Sequence, residues 1–508
     1  MTDKNKFTPE FVTVPKRFSG VRLVDALKEL GSLPDSPCGG KGLCGGCRVR
    51  LAGGRLSDFS GGIVCADKHP ITVLACRYLC TDIDSLIEIL PHKAKTAVLG
   101  KNGTNIKNEA VGFAADIGTT TIAVAAVDKS GKIIAEIDAE NPQRIFGADV
   151  MSRISAADDG KTEIMQGLVT DALTDMTERL ADSLKDSEIP KIMIAAANPT
   201  MTALLCGISP VKIGTAPFTL PFSESRDLEL GNTGINLTTL PLSSPFIGGD
   251  ALAGAALCDI DGSDEPTLFA DMGTNSEILL SVGGRIYATS AAAGPALEGV
   301  GISCGVGGIP GAVCSVSRDP SFSSSKNTEN LSYKTIDGKP PVGICGAGLC
   351  DLVAALLESG VLSSDGRIDK GCFTLDGEYG ISVDNGDMQS FMLAKAAIRA
   401  GIECLMRESG TDAADISKVY IAGGLGSALN RFSAARVGLV PGILAPKIIS
   451  VGNSSLAGAA RCAADADFFE KIEKISKKVV TITLAGSSCF ADLFMKNIGF
   501  DSPNRADI

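Results

Sequence analysis

The sequence predicts a multidomain chain of α+β and α/β type: a small N-terminal domain folded around a cysteine loop, then a larger two-lobed domain with a nucleotide cleft. Three observations predict it. Residues 37–47 read Pro-Cys-Gly-Gly-Lys-Gly-Leu-Cys-Gly-Gly-Cys, and Cys76 follows in Leu-Ala-Cys-Arg. Two apolar strands, from Val111 and from Thr267, each run into Asp-x-Gly-Thr, about 155 residues apart. A third, Val419 to Ala422, runs into Gly-Gly-Leu-Gly. The expected division is residues 1–92 for the cysteine domain, 93–110 for a flexible connector and 111–508 for the cleft domain. Its first lobe spans about 111–250 and its second about 251–508.

A chain of 508 residues is long enough for several cores. Its net charge of −12 disfavours binding to nucleic acid or to anionic membrane. No apolar run reaches about 18 residues, so no membrane span is expected. No basic start leads into an apolar segment, so no signal peptide is expected. Most cysteines beyond the loop lie in apolar context, as in Leu205-Cys206 and Leu257-Cys258, and read as buried small hydrophobes in a reducing cytoplasm. Histidine is confined to His69 and His92. That argues against a Rieske centre, a His-based zinc site and Ser-His-Asp catalysis.

In the N-terminal part, Phe11–Val14 reads as a strand and Val21–Leu30 as a helix ended by Gly31. Strands are expected at Cys47–Leu51, Ile71–Leu74 and Leu86–Leu90. Thiolates that converge from a loop whose glycines tolerate tight wrapping suit an iron–sulfur cluster. A four-cysteine zinc site would show two CxxC pairs, and only Cys44 and Cys47 make one. The spacing C-x5-C-x2-C with a distant fourth cysteine resembles that of the redox ferredoxins that hold a [2Fe–2S] cluster, and the element order matches their β-grasp fold. The ligands are then Cys38, Cys44, Cys47 and one of Cys65, Cys76 or Cys80. Leu-Ala-Cys-Arg resembles the Leu-Ala-Cys-Gln that carries the last ligand in that family, which favours Cys76.

Lys93–Glu109 shows little apolar periodicity and reads as the connector. A strand that ends in Asp, followed by Gly and hydroxyls, makes a tight turn. Its N–H groups can approach phosphate while its carboxylate holds Mg²⁺ through water. Two such turns suggest related halves facing one another. These elements with the third turn resemble the superfamily of acetate and sugar kinases, heat-shock chaperone ATPases and actin, in which ATP lies between two RNase-H-like lobes. The resemblance carries Asp116, Gly118, Thr119 and Thr120 to the first phosphate turn, and Asp271, Gly273, Thr274 and Asn275 to the second. It carries Gly423, Gly424 and Gly426 to the adenosine turn, with Asp116 and Asp271 as the catalytic carboxylates. Glu298, in Gly-Pro-Ala-Leu-Glu-Gly, reads as a polar contact to the nucleotide. Asn198-Pro199 reads as the opening of a cleft-lining helix, Ser321–Lys339 as a surface insertion, and Asp387–Met406 as an amphipathic helix.

Taken together, the cysteine loop and the three turns resemble the reductive activators of corrinoid proteins over nearly the full length. The resemblance implies ATP-dependent return of inactive Co(II) to Co(I), with an electron passed through the [2Fe–2S] cluster. It implies Mg²⁺, an external low-potential electron donor, a corrinoid protein as substrate and, on the resemblance alone, a homodimer. Asp67-Lys68-His69 lacks the Gly of a corrinoid-binding Asp-x-His-x-x-Gly, so the corrinoid is expected on a separate protein. Longer family members carry a middle domain between the two halves, for which Lys93–Glu109 leaves no room. Two alternatives stand beside this reading: a small-molecule kinase with a regulatory ferredoxin, and a redox-sensing ATPase.

Overall fold

The computed structural model describes residues 10–32, 47–66, 70–89, 109–147, 149–184, 188–318, 331–426 and 428–500. Cys38, Cys44 and the connector expected at 93–108 lie outside them. Contacts gather the chain into two compact units. One combines Met1–Lys93 with Pro295–Met392, the other Ala94–Gly294 with Leu393–Ile508.

The first unit opens with β1 (Glu10–Val14) and α1 (Leu23–Glu29), then β2 (Arg48–Gly53), β3 (Arg55–Asp58), β4 (Ile63–Cys65), β5 (Ile71–Leu74), β6 (Tyr78–Cys80) and β7 (Ser85–Ile89). Four of these form an antiparallel sheet in the order β1-β7-β2-β5. The spacing of Leu23, Val24, Ala26 and Leu27 puts one face of α1 onto Val49, Leu51 and Ile87, and all seven are buried. β3, β4 and β6 form a small second sheet.

In the 295–392 part, β8 (Ala312–Arg318), β9 (Leu331–Thr335) and β10 (Gly343–Ile344) pair in the order β9-β8-β10 under the apolar helix α2 (Gly346–Glu358). The stretch expected as a surface insertion therefore ends in an edge strand, because Ser332, Tyr333 and Thr335 alternate in register with β8.

The second unit contains two six-stranded sheets of related topology. The first runs β11 (Ala110–Ile117), β12 (Thr121–Asp128), β13 (Ile133–Glu140), β14 (Ile192–Ala197), β15 (Asp227–Glu229) and β16 (Asn236–Thr239), in the order β13-β12-β11-β14-β16-β15. The second has β17 (Thr267–Asp271), β18 (Asn275–Val282), β19 (Arg285–Ala292), β20 (Lys418–Ala422), β21 (Ile448–Gly452) and β22 (Val479–Thr481), in the order β21-β20-β17-β18-β19-β22. In each, an antiparallel three-strand meander is followed by two strands added in parallel beside its first strand. This is the pair of related halves that the repeated Asp-x-Gly-Thr predicts, and the two aspartates sit at matching ends of the two first strands.

Between the sheets lie two small-residue helices, α3 (Gly249–Leu257) and α4 (Ser454–Ala464). One core cluster runs from Ala114, Ala125 and Ile194 of the first sheet through both helices to Phe269, Leu279 and Ile286 of the second. The helices approach closely because Gly254 and Gly458 face the contact. A Cβ on Gly458 would stand 2.7 Å from the Ala253 carbonyl oxygen, and one on Gly254 2.5 Å from Phe269 Cζ. The other face of the first sheet is covered by the helix Thr162–Ser183 through Met165, Val169, Leu173, Met176 and Leu180. The amphipathic helix expected over 387–406 is present as Asn385–Ser409, and the division between the units falls within it. Among the described residues no helix is long and apolar enough to cross a membrane.

Replacing Gly458 by Ala gains about 1 kcal/mol of helix propensity. It forces overlap with backbone that costs about 3 kcal/mol. The expected net loss is about 2 kcal/mol in urea denaturation, far above the change for the same replacement at the uncrowded helical Gly167.

Candidate functional site

Two sites emerge, one in each unit. In the first unit the β2/β5 ladder pairs Arg48 with Leu74, so Cys47 and Cys76 leave the sheet side by side. Ala75 N–H donates to the Cys47 carbonyl at 2.8 Å, and Cys76 N–H donates to Cys47 Sγ at 3.4 Å. Both cysteines are buried. The competing cysteines are elsewhere. Cys65 is exposed on β4 opposite Arg55. Cys80 pairs with Leu56 in the small sheet, and burial pushes its thiol up to about 11. Of the three, Cys76 is the one whose backbone bonds to Cys47. Arg22, paired to Asp25 at 2.7 Å, also lies within electrostatic reach of Cys76. A cavity of about 250 Å³ opens beside it, lined by Leu74, Arg77, Ser303, Asp384, Asp387 and Ser390. A backbone N–H aimed at a buried sulfur is a donor arrangement that suits a thiolate ligand.

In the second unit the two Asp-x-Gly-Thr turns meet the glycine turn. Asp116 lies one residue before the end of its strand, and Gly118 N–H closes the turn on the Thr121 carbonyl at 2.9 Å. A Cβ at Gly118 would sit 2.8 Å from that same oxygen, so the turn requires glycine. The turn is held from behind. Asn141 Nδ2 donates to the Gly118 carbonyl at 2.8 Å, and the fully buried Arg153 donates to the Thr119 carbonyl. Arg153 also reaches the Gly147 carbonyl at 3.2 Å and Gln143 Oε1 at 3.3 Å. Asn198 caps the helix Pro199–Leu205 through Met201 N–H and donates to Thr119 Oγ1 at 3.2 Å.

Asp271 ends the corresponding strand of the second sheet. Gly273 and Thr274 turn the chain, and Gly294 N–H donates to the Thr274 carbonyl at 2.9 Å. Asn275 opens the next strand. The third turn, Gly423–Gly426, is one helical turn that begins where Ala422 accepts from Met272 N–H at 3.2 Å. Gly423 has φ of +87°, and a Cβ there would lie 2.6 Å from the Met272 carbonyl and 2.8 Å from Asp271 Oδ1. Its missing side chain is what lets the glycine turn and the second Asp turn coexist. Gly424 is exposed. Glu298 belongs to the other unit, in the turn Pro295–Glu298.

The helices between the sheets add residues that sequence reasoning did not assign. Asn453 caps α4 through Leu456 N–H and donates to Asp116 Oδ2 at 2.9 Å. Ser455 Oγ lies 3.4 Å from Asp271 Oδ2 and 3.3 Å from the Asp250 carbonyl. Asp250 stands in the first turn of α3. Glu277 lies directly across the strand pair from Asp271 and accepts from Ser290 Oγ at 3.1 Å. Burial first, and then the Asp271 and Glu136 charges, push Asp116 up to about 7. Burial and then Asp116 push Asp250 to about 7 as well. Glu277 is held well above the carboxylate range by burial, then by Asp250 and Asp271. Asp116, Asp250 and Glu277, raised by burial and by neighbouring carboxylates, form with Asp271 a set of hard oxygen donors, which fits a divalent cation with a bound phosphate. Gly248-Gly249-Asp250 was a signal for the third of them. Nothing local marks Asn453 or Ser455, since only the crossing of α3 and α4 brings them to the cleft.

The raised carboxylates set a pH dependence. Asp116 and Asp250 keep protons to about pH 7 when folded and lose them near pH 4 when unfolded. The stability they contribute is therefore full below about pH 4 and lost as pH rises towards about 7. In protein free of nucleotide and metal, Asp250→Asn is expected to raise stability at pH 8 by about 1–2 kcal/mol, discounted for its half-open position. It is also expected to flatten the slope between pH 5 and 8 in denaturant titrations.

Comparison with known proteins bears on the whole chain. The profile of the C-terminal domain of RACo, the ASKHA domain, matches residues 265–506, and that of the RACo middle region matches residues 111–263. This corrects the expectation that the middle domain is missing. It does not need the connector, because the matched region is the first of the two sheets with α3. The chain is 27% identical over 429 residues to the corrinoid activation enzyme RamQ of Eubacterium limosum, covering 77% of this chain and 70% of that one. It is 28% identical over 424 residues to the [Co(II) methylated amine-specific corrinoid protein] reductase of Methanosarcina barkeri, covering 77% of each. Among solved structures it resembles a reductive activator for corrinoid,iron-sulfur protein, with a TM-score of 0.70, 26% identity and 96% of each chain covered. With both sheets, the paired Asp turns and these matches in hand, the chain belongs to the RACo family of reductive activators of corrinoid proteins.

Proposed function

We propose that this chain uses ATP to drive reduction of the cobalt of a corrinoid protein from inactive Co(II) to Co(I). One observation supports it above the rest. Family membership coincides with a cleft in which Asp116 and Asp271 are brought together and a second site in which Cys76 N–H bonds to the Cys47 sulfur.

In this reading residues 1–92 are a β-grasp ferredoxin domain, 93–110 a connector and 111–508 the two-lobed ATPase. Cys38, Cys44, Cys47 and Cys76 hold a [2Fe–2S] cluster, which when bound supplies one-electron transfer at about −400 mV. The Cys76 N–H and the nearby Arg22 stabilise negative charge on the sulfurs. Asp116 and Asp271 would hold Mg²⁺, which would supply positive charge beside the phosphates. The Gly118, Thr119 and Thr120 turn and the Gly273, Thr274 and Asn275 turn offer N–H and hydroxyl donors to the phosphates. Gly423, Gly424 and Gly426 receive the adenosine. Asp250 and Glu277 share their protons with this set. They give up the protons when a cation enters, so metal binding releases protons near neutral pH.

The corrinoid is held by a separate protein, and an external low-potential donor supplies the electron. Differential binding of the two conformations of the cleft to nucleotide supplies the bias, since a tenfold shift in a one-electron equilibrium corresponds to about 59 mV. The chain is placed in the reducing cytoplasm, as a homodimer on family grounds.

Two outcomes follow. Cys76→Ser should lose the visible [2Fe–2S] absorbance and about half or more of the bound iron, whereas Cys65→Ser and Cys80→Ser should keep both. An anaerobic mixture of a Co(II) corrinoid protein, reductant and this chain should develop the Co(I) band only after Mg-ATP is added. Asp271→Asn should cut that rate by about 100-fold or more. Cobalt reduction that proceeds equally without ATP would defeat the proposal.

A further inference from the structure

The C-terminal segment of the chain is clasped along one face of the helix Asn385–Ser409 by contacts at regular helical spacing. Lys395 Nζ donates to the Gly499 carbonyl and lies 4.9 Å over the Phe500 ring. Glu403, fixed by Arg399 at 2.7 Å, accepts from Asn497 Nδ2 at 3.3 Å. At the far end Cys404 Sγ stands 3.9 Å from Cys489 Sγ, and Arg407 donates to Cys489 Sγ at 3.5 Å. Cys489 belongs to the helix Ser488–Lys496. These residues all lie in the second unit.

We propose that Cys404 and Cys489 are a reversible thiol–disulfide site that locks this C-terminal strap onto the helix when the protein meets peroxide. The geometry gives each sulfur a separate role. Cys489 is half-buried, so a small oxidant reaches it, and two donors, the Arg407 guanidinium and the Cys404 thiol, converge on its sulfur. Cys404 is only 3% exposed and is kept as a protonated thiol by burial. It is shielded from the oxidant but adjoins the sulfur that meets it.

The chemistry balances in two steps. Cys489 sulfur attacks one oxygen of hydrogen peroxide, the O–O bond breaks, and sulfenic acid and water result. Cys404 sulfur then attacks the sulfenic sulfur, the S–O bond breaks, and a disulfide and a second water result. Closing from 3.9 Å to a disulfide bond needs roughly 2 Å of sulfur travel, which side-chain rotation of the more open Cys489 can supply. A thiol reductant reverses the cross-link.

The test uses the full chain with its cofactors. The protein is treated anaerobically with about one equivalent of hydrogen peroxide, quenched by alkylation, and mapped by mass spectrometry, with hydrogen exchange followed over 488–496. A 404–489 linked peptide that vanishes with dithiothreitol is expected. Exchange over 488–496 should slow by about tenfold or more in the linked form. Cys489→Ser should abolish the link. Cys404→Ser should leave Cys489 as a sulfenic acid trapped by dimedone, and Cys404→Ala serves the same purpose if the serine does not fold. Peroxide that converts wild-type Cys489 to sulfinic acid without a link, or that spares both sulfurs while oxidising others, would overturn the proposal.

Discussion

The close crossing of α3 and α4 between the two sheets is the constraint on which the cleft depends. Their contact is possible because Gly254 and Gly458 place no side chain where Phe269 and the Ala253 carbonyl stand. Each helix begins at the cleft. The start of α3 supplies Asp250, and the start of α4 supplies Asn453 and Ser455. The two sheets contribute Asp116 and Asp271 from the ends of their first strands. A side chain forced between the helices would thus separate the partners of both aspartates without touching either one.

The same arrangement concentrates negative charge. Asp116, Asp250 and Glu277 are each raised by burial and by neighbouring carboxylates. Such a cluster weakens a fold unless something positive fills it or protons are retained. A cation bound there, as proposed, would relieve that repulsion. Asn453, Ser455 and Ser290 already hold three of the carboxylates in place.

Much of this was legible in the chain. The repeated Asp-x-Gly-Thr predicted two related sheets, and Asp271 ends its strand while Asp116 stands one residue before the end of its own. The choice of Cys76 over Cys65 and Cys80 rested on a four-residue resemblance, and the structure shows the Cys76 N–H directed at Cys47 Sγ. Other parts were not readable. Asn453 and Ser455 lie more than 180 positions from the aspartates they contact, and no local periodicity encodes such a meeting. Arg153 sits in an ordinary helical stretch, and its burial follows only from the path of the chain around it. The missing-middle expectation failed because a domain was sought in the connector, when the matched region is one of the two lobes themselves.

Arg153 has a mechanical consequence. Its guanidinium is bonded to the carbonyls of Thr119 and Gly147 and to Gln143, and with Asn141 it braces the Gly118–Thr119 turn from inside the lobe. A turn braced in this way is tied to the body of its lobe, so on the reading proposed above a displacement at the turn would be passed on to the lobe rather than absorbed locally.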